Sequence, residues 1–151
     1  YDNVLKMMQH PQALYGLSDG GAHVGTVCDA SMPTYMLTHW TRDRKRGDKL
    51  SLPCVVRMLT GAQADYMGMS DRGYIREGLK ADLNIIDLDN LQMEPPHMVQ
   101  DLPAGGQRLL QGANGYTATI VAGEVVIENG KLTGAKPGTV YRAGRQLAAA
   151  E

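Results

Sequence analysis

A carboxylate and a histidine follow a short apolar segment near the N-terminal end of the chain. Residues 13–17 read Ala-Leu-Tyr-Gly-Leu, and residues 18–23 read Ser-Asp-Gly-Gly-Ala-His. An acid at the carboxyl end of a strand, followed by glycines that let the backbone approach closely, is where barrel enzymes place metal ligands and general bases. The same residues are also ordinary turn formers, because Asp and Gly both favour tight turns. The pattern therefore indicates either a catalytic Asp19 or a simple turn.

Histidines, which are common zinc ligands, are few in this chain. It contains four histidines and no His-x-His pair. One carboxylate cannot hold a catalytic zinc ion, which takes about three protein ligands. His39, which lies beside Trp40, is predicted to pack rather than to coordinate a metal. If Asp19 binds a metal, the chain would be inactive alone, with the other ligands of that site supplied by an upstream segment or a partner chain.

Composition and charge exclude several classes of protein. The 151 residues, 43% of them hydrophobic, suffice for one domain with its own core. The formal net charge is -1 and no run approaches about 18 apolar residues, so we expect neither a nucleic acid nor a membrane as partner. The two cysteines, Cys28 and Cys54, form no Cys-x-x-Cys motif, which predicts a reduced, cytoplasmic setting.

Three helices are predicted before residue 68. Asp2 caps the first helix, which Pro11 ends, Ser31 and Pro33 open the second, and Ser51 caps the third. Each has apolar residues at helical spacing on one side, namely Val4, Leu5, Met8, Met36, Leu37, Trp40, Leu52, Val55, Val56 and Leu59. Because the apolar segment at residues 13–17 is predicted to be a strand, this half of the chain indicates the end of an alternating α/β structure.

The second half of the chain has a different pattern. From residue 68 onward, glycines separate short runs of β-branched residues, which is typical of hairpins. Strands are predicted at residues 83–88, 117–122, 125–128 and 131–133, with antiparallel pairing. Asn129-Gly130 suits the turn of a two-residue hairpin. Residues 89–106, which include three prolines, are predicted to be an irregular connection.

The change of pattern predicts three parts. We expect residues 1–67 to form an α/β part, residues 68–142 a small antiparallel β-sheet domain, and residues 143–151 a C-terminal tail. An apolar parallel strand buried on both faces needs neighbouring strands, and the first part offers only one. The chain is therefore expected to be the C-terminal piece of a longer polypeptide, or a subunit whose sheet a partner chain completes.

Three segments of the sequence resemble the amidohydrolase superfamily. Residues 71–87 are similar to a signature of that superfamily built around Gly73, Gly78 and Ala81-Asp82-Leu83. Residues 51–68 and 122–134 resemble one branch, the N-acyl-D-amino-acid deacylases, also called D-aminoacylases or family-3 amidohydrolases. The likeness extends over almost the whole chain.

This resemblance implies a zinc-dependent hydrolase built from a (β/α)8 barrel and a small antiparallel β-sandwich. Residues 1–67 would supply the last strand and helices of the barrel, and residues 68–142 a portion of the sandwich. Asp19 would be a metal ligand and the catalytic group that carries a proton from the metal-bound water to the leaving nitrogen. His23 would contact the substrate. The reaction would be hydrolysis of the acyl-amide C–N bond of an N-acyl-D-amino acid.

A second hypothesis belongs to a different class of protein. The chain would be a non-catalytic interaction or structural module, derived from such an enzyme, that pairs through exposed strand edges and helix faces. Exposed apolar faces would then drive self-association into a homo-oligomer. Both hypotheses predict a partner for this chain, and they differ in whether Asp19 takes part in chemistry.

Overall fold

The computed structural model describes residues 1–16, 23 and 25–141, in which helices precede antiparallel strands. The helices are α1 (Asp2–Met8), α2 (Met32–Thr38), α3 (Leu52–Leu59) and α4 (Gly61–Tyr66), and a π-helical turn at His39–Asp43 continues α2. The strands are β1 (Leu83–Ile86), β2 (Gln92–Met93), β3 (His97–Leu102), β4 (Gly106–Leu110), β5 (Ala113–Asn114), β6 (Tyr116–Val121), β7 (Glu124–Glu128) and β8 (Lys131–Leu132).

Local sequence signals explain where α3 begins and ends. The Ser51 hydroxyl accepts a hydrogen bond from the backbone N–H of Cys54 at 3.4 Å, and Pro53 lies in the first turn. The cap satisfies one of the N–H groups that the start of a helix leaves unpaired. Thr60, at φ −129° and ψ −89°, separates α3 from α4. The predicted third helix and its Ser51 cap are therefore confirmed.

The largest sheet has four antiparallel strands in the order β1-β6-β7-β8. The turn between β7 and β8 places Asn129 at φ 47° and Gly130 at φ 76°. Two successive residues with positive φ form the turn that matches the twist of a hairpin, which is why Asn-Gly predicts it. Two smaller antiparallel pairs, β2 with β5 and β3 with β4, complete the described strands.

One hydrophobic core joins the helices to the strand region. Its buried members are Leu5, Met36, Leu37, Trp40, Leu50, Val55 and Leu91. Leu91 follows β1 and is fully buried against the helices, while Ile86 and Tyr116 of the four-stranded sheet are partly buried on the same cluster. Burial of side chains of this size stabilises a fold by roughly 1.5–3 kcal/mol each. The helical and strand parts thus share apolar packing.

A close backbone approach at Gly115 holds Leu91 in place. Gly115 has φ 96°, and a Cβ there would lie 2.6 Å from the Leu91 Cα and 3.0 Å from the Asp87 carbonyl oxygen. The Asp87 N–H also donates to the Gly115 carbonyl at 2.8 Å. Because only glycine adopts this conformation without strain and leaves this space, the turn after β1 can lie directly against the start of β6.

The strand predicted at residues 13–17 is wrong over its described part. Residues 13–16 have no strand pairing, and Leu17 lies outside the described residues. A strand exists only where its N–H and C=O groups pair with a neighbouring strand, and no described strand lies alongside this segment. Only Tyr15 of the four residues is half-buried.

The irregular connection predicted at residues 89–106 is also wrong in part. The segment contains β2 and β3, and the prolines lie at strand ends: Pro95 and Pro96 separate the two strands and Pro103 follows β3. Proline lacks a backbone donor, so it is tolerated beside a strand but not within a paired one. The prolines therefore mark boundaries of pairing rather than its absence.

The barrel and the sandwich stay predictions, as do the boundaries at residues 67 and 142. The predicted tail at residues 143–151 lies outside the described residues. Within the part of the chain that the structure describes, no helix has the length and apolar character needed to span a bilayer.

Candidate functional site

The predicted catalytic residue, Asp19, lies outside the described residues, as do residues 17–22 as a whole. Its role as a catalytic group and metal ligand stays a prediction. The structure does describe Tyr15, four positions before Asp19, and His23, four positions after it. The candidate site can therefore be built from the residues that hold these two neighbours.

Tyr15 is anchored to the helices by its side chain and by its backbone. The ring packs against the hydrophobic core, and burial raises the pKa of its hydroxyl above 10.0. The Gln63 side-chain amide donates to the Tyr15 carbonyl oxygen, and also to the Met58 carbonyl oxygen at 3.2 Å. Gln63 thus links the segment before Asp19 to the end of α3 and the start of α4.

His23, the predicted substrate contact, begins a turn on the surface. Its backbone has φ 49°, and its carbonyl oxygen accepts hydrogen bonds from the N–H groups of Thr26 at 2.6 Å and Val27 at 3.3 Å. The residue is exposed. Contact with substrate stays a prediction for this residue.

The described residues do not fit a metal centre. Among residues 1–16, 23 and 25–141, no three His, Cys, Asp or Glu side chains lie close enough together to hold a metal ion. A catalytic zinc ion takes three protein ligands and keeps one position open. Any zinc site therefore needs ligands beyond these residues.

Two hydrogen bonds attach the residues that follow His23 to the strand region. The Ser31 hydroxyl donates to the Gln111 Oε1 at 2.6 Å, and the Thr34 and Tyr116 hydroxyls lie 2.8 Å apart. The partners are 80 and 82 positions apart in the chain. Sequence reasoning missed both contacts and Gln63 as well, because no periodicity or motif relates residues at such separation.

The signature segment forms an ion network rather than a catalytic cluster. The Arg72 guanidinium bonds to the Asp71 carboxylate at 2.9 Å and 3.2 Å and to Asp82 at 3.3 Å, and Lys80 lies 3.6 Å from Asp71. The hydrogen bond from Arg72 lowers the pKa of Asp71 below 3.8. Asp82 also accepts from the Ala122 N–H at 2.8 Å. The network ties this segment to the turn between β6 and β7.

Comparison with protein families gives a match over most of the chain. Residues 1–127 match the model described as "Amidohydrolase family". The chain is 35% identical over 86 residues to the 5'-deoxyadenosine deaminase of Methanobrevibacter smithii, covering 55% of this chain and 19% of that protein. It is 31% identical over 100 residues to the 5-methylthioadenosine/S-adenosylhomocysteine deaminase of Natronomonas pharaonis, covering 66% of this chain and 22% of that protein.

The chain thus spans about a fifth of the length of these curated relatives. No solved structure matches it. Both relatives are named as deaminases rather than N-acyl-D-amino-acid deacylases, so these matches support the superfamily and not the narrower branch.

Proposed function

Because the chain belongs to the amidohydrolase family, we propose that it is the C-terminal portion of a metal-dependent hydrolase that cleaves a C–N bond. The single observation that carries this proposal is the family match over residues 1–127, which includes the segment around Asp19. The similarity to two deaminases agrees with it, because deamination and deacylation both replace a nitrogen substituent on a trigonal carbon by oxygen from water.

Asp19 is assigned the proton transfers of this reaction. The oxygen of water attacks the trigonal carbon, and one proton of the water passes to the Asp19 carboxylate. Asp19 then gives that proton to the leaving nitrogen as the C–N bond breaks. A carboxylate is suited to the first step because its ordinary pKa near 4 leaves it ionised at neutral pH. His23, exposed in its turn, is assigned to contact with the substrate.

Zinc is proposed as the metal of the complete enzyme. Since the described residues offer no group of three ligands, most ligands would come from an upstream segment or a partner chain, with Asp19 contributing one from this chain. This chain therefore supplies the residue that carries the proton and the residues that hold it, but not most of the metal ligands.

Two substrate classes follow from different observations. The resemblance of residues 51–68 and 122–134 to the D-aminoacylases favours an N-acyl-D-amino acid, whose amide C–N bond is cleaved. The names of the two relatives favour a substrate that carries an amino group on an adenine ring. The first releases a free amino acid and the second releases ammonia, so the products separate the two classes.

The test is an assay of the complete polypeptide that contains this chain, loaded with zinc. We expect hydrolysis of either a panel of N-acyl-D-amino acids or a panel of 5'-substituted adenosines, followed by amino acid or ammonia release. Asp19→Asn should lower kcat at least about a hundredfold, because general acid–base catalysis contributes roughly 10²–10⁴-fold. Asp48→Asn, at an exposed position, is the matched control and should leave kcat unchanged.

Two outcomes would contradict the proposal. Full activity of the Asp19→Asn variant would remove the assigned role of this residue. Absence of hydrolysis on both panels by the zinc-loaded polypeptide would favour the non-catalytic interaction module instead.

A further inference from the structure

We propose that Gln63 is a positioning residue for the reaction, because its side-chain amide holds the backbone of the segment that leads to Asp19. This inference rests on the proposed function, in which Asp19 carries the proton. Gln63 itself is not assigned any contact with the substrate.

The Gln63 amide lies between two backbone carbonyl groups from different parts of the chain. It donates to the Tyr15 carbonyl oxygen and, at 3.2 Å, to the Met58 carbonyl oxygen. Met58 lies in the last turn of α3, where carbonyl groups have no partner further along the helix. One NH₂ group therefore satisfies the end of α3 and fixes Tyr15 relative to it.

The support that carries Gln63 is itself firmly packed. Gln63 lies in the first turn of α4, between Gly61 and Ala64, which are both buried. Its backbone N–H donates to the Thr60 carbonyl at 3.1 Å. A side chain that projects from a packed helical turn can hold a carbonyl group in place more precisely than one on a loop.

The segment at Tyr15 has few other means of being held. Residues 13–16 have no described strand pairing, and Leu14 is 39% exposed. The Tyr15 ring packs on the core, so the ring fixes one side of this residue and the Gln63 amide fixes its carbonyl. The hydrogen bond from Gln63 thus fixes the backbone at Tyr15, as pairing with a neighbouring strand fixes the backbone of a β-strand.

The distance along the chain makes this support relevant to Asp19. Asp19 lies four positions after Tyr15, so their Cα atoms are at most about 14 Å apart. A displacement of about 1 Å at a reacting group can cost roughly 10²-fold in rate, even when the mutation is remote. Loss of the Gln63 hydrogen bond is therefore expected to lower kcat about 10- to 100-fold, with KM changed less than about threefold.

The experiment compares three variants of the complete polypeptide with the wild type. Gln63→Leu removes the donor at all pH values. Gln63→Glu keeps the shape of the side chain, and its carboxyl group donates only when protonated. We expect the kcat of Gln63→Glu, relative to wild type, to recover as pH falls from 8 to 5, while the ratio for Gln63→Leu stays flat. Gln107→Glu, exposed on β4, is the control for the charge change.

The outcomes separate this inference from the proposed function. A wild-type polypeptide without C–N hydrolase activity removes both. An active wild type together with wild-type kcat in both Gln63 variants overturns the positioning role alone. A fall in kcat that matches a fall in thermal midpoint, without recovery of Gln63→Glu at low pH, shows a merely structural role and also overturns it.

Discussion

His39 stacks on Tyr35 with ring centroids 4.7 Å apart and an interplanar angle of 7°. Its Nε2 is buried without a hydrogen-bond partner among the described residues. The buried guanidinium of Arg44, whose side chain is 3% exposed, lies 4.7 Å from the centroid of the neighbouring Trp40 ring. Burial chiefly, and then the charge of Arg44, lower the pKa of His39 below 6.5, whereas Asp43 opposes that shift. The surroundings of His39 therefore favour the neutral form of its imidazole.

This environment predicts a pH-dependent loss of stability. Well above pH 6.5, His39 is neutral in both the folded and the unfolded protein, so it adds no pH dependence there. As pH falls below 6.5 the unfolded chain binds a proton first, and the free energy of unfolding decreases. We expect His39→Phe to reduce this decrease, as measured by urea unfolding between pH 7.5 and 5. The pH range in which His39 affects stability lies above the range in which Asp43 and Asp71 do so, because the pKa values of these two carboxyl groups are lowered from 3.8.

His97→Phe provides the matched control. His97 is exposed in β3, so its replacement should leave the pH dependence as in the wild type. If the free energy of unfolding fell equally with pH in His39→Phe and in the wild type, burial of His39 would not be the cause of the loss of stability below pH 6.5.

Residue types marked the candidate chemistry, but not the groups that support it. Asp19 and His23 stand out in the sequence because an acid, two glycines and a histidine occur within five positions. Gln63 does not stand out, since a glutamine in a helix is common and only its contact with Tyr15 gives it meaning. Whether a residue supports a site depends on which groups lie near it in the fold, and residue type does not reveal those distances.

At the scale of elements, two serines illustrate how far local signals reach. Both Ser31 and Ser51 precede helices with proline in the first turn, and both are predicted to open them. Ser51 has extended backbone and caps α3, whereas Ser31 makes no side-chain cap and donates to Gln111 instead. A long-range partner thus changed the role of one of two similar residues.

The Ser51 cap predicts a measurable contribution to stability. Ser51→Ala should lower the free energy of unfolding by about 1 kcal/mol, because the Cys54 N–H then lacks its acceptor in the folded protein. Ser51→Asp keeps an acceptor and should be close to wild type. Urea unfolding of both variants measures this difference.

Ser70→Ala, at an exposed position outside the helices, is the control and should change stability by less than about 0.5 kcal/mol. Equal stability of Ser51→Ala and Ser70→Ala would contradict the capping role.

The whole molecule depends on contacts between its helical and strand parts, and Arg42 makes several of them. Its guanidinium donates to the carbonyl oxygens of Leu88, of Asp89 at 3.1 Å, and of Leu91 at 2.8 Å. Asp43 binds the same guanidinium at 2.6 Å and 2.9 Å, which orients it. Arg42 therefore connects the turn after β1 to the helical turn that follows α2.

Removal of this connection should weaken the whole fold. We expect Arg42→Met to lower the free energy of unfolding by about 2 kcal/mol, because hydrogen bonds from a charged donor contribute roughly 1.5–3 kcal/mol and this side chain is 30% exposed. Arg42→Lys should recover only part of the loss, since a single ammonium cannot span several carbonyl groups. Chemical unfolding measures both effects.

Amide hydrogen exchange locates the effect. Protection of the Leu91 N–H, which donates to the Leu88 carbonyl at 3.3 Å, should fall in Arg42→Met. Arg46→Met, at an exposed position, is the control. Unchanged protection at Leu91 in Arg42→Met would show that this side chain does not join the two parts.

The sequence by itself determined the features that arise between near neighbours in the chain. The Ser51 cap, the Asn129-Gly130 hairpin and the family signature at residues 71–87 each depend on residues within a few positions. The tertiary structure alone decided that Leu91 enters the helical core and that Gln63 holds Tyr15. It also decided that residues 13–16 have no strand partner here. The physical reason is that hydrogen bonds and apolar contacts form with whichever group the fold brings near, at separations that local periodicity does not record.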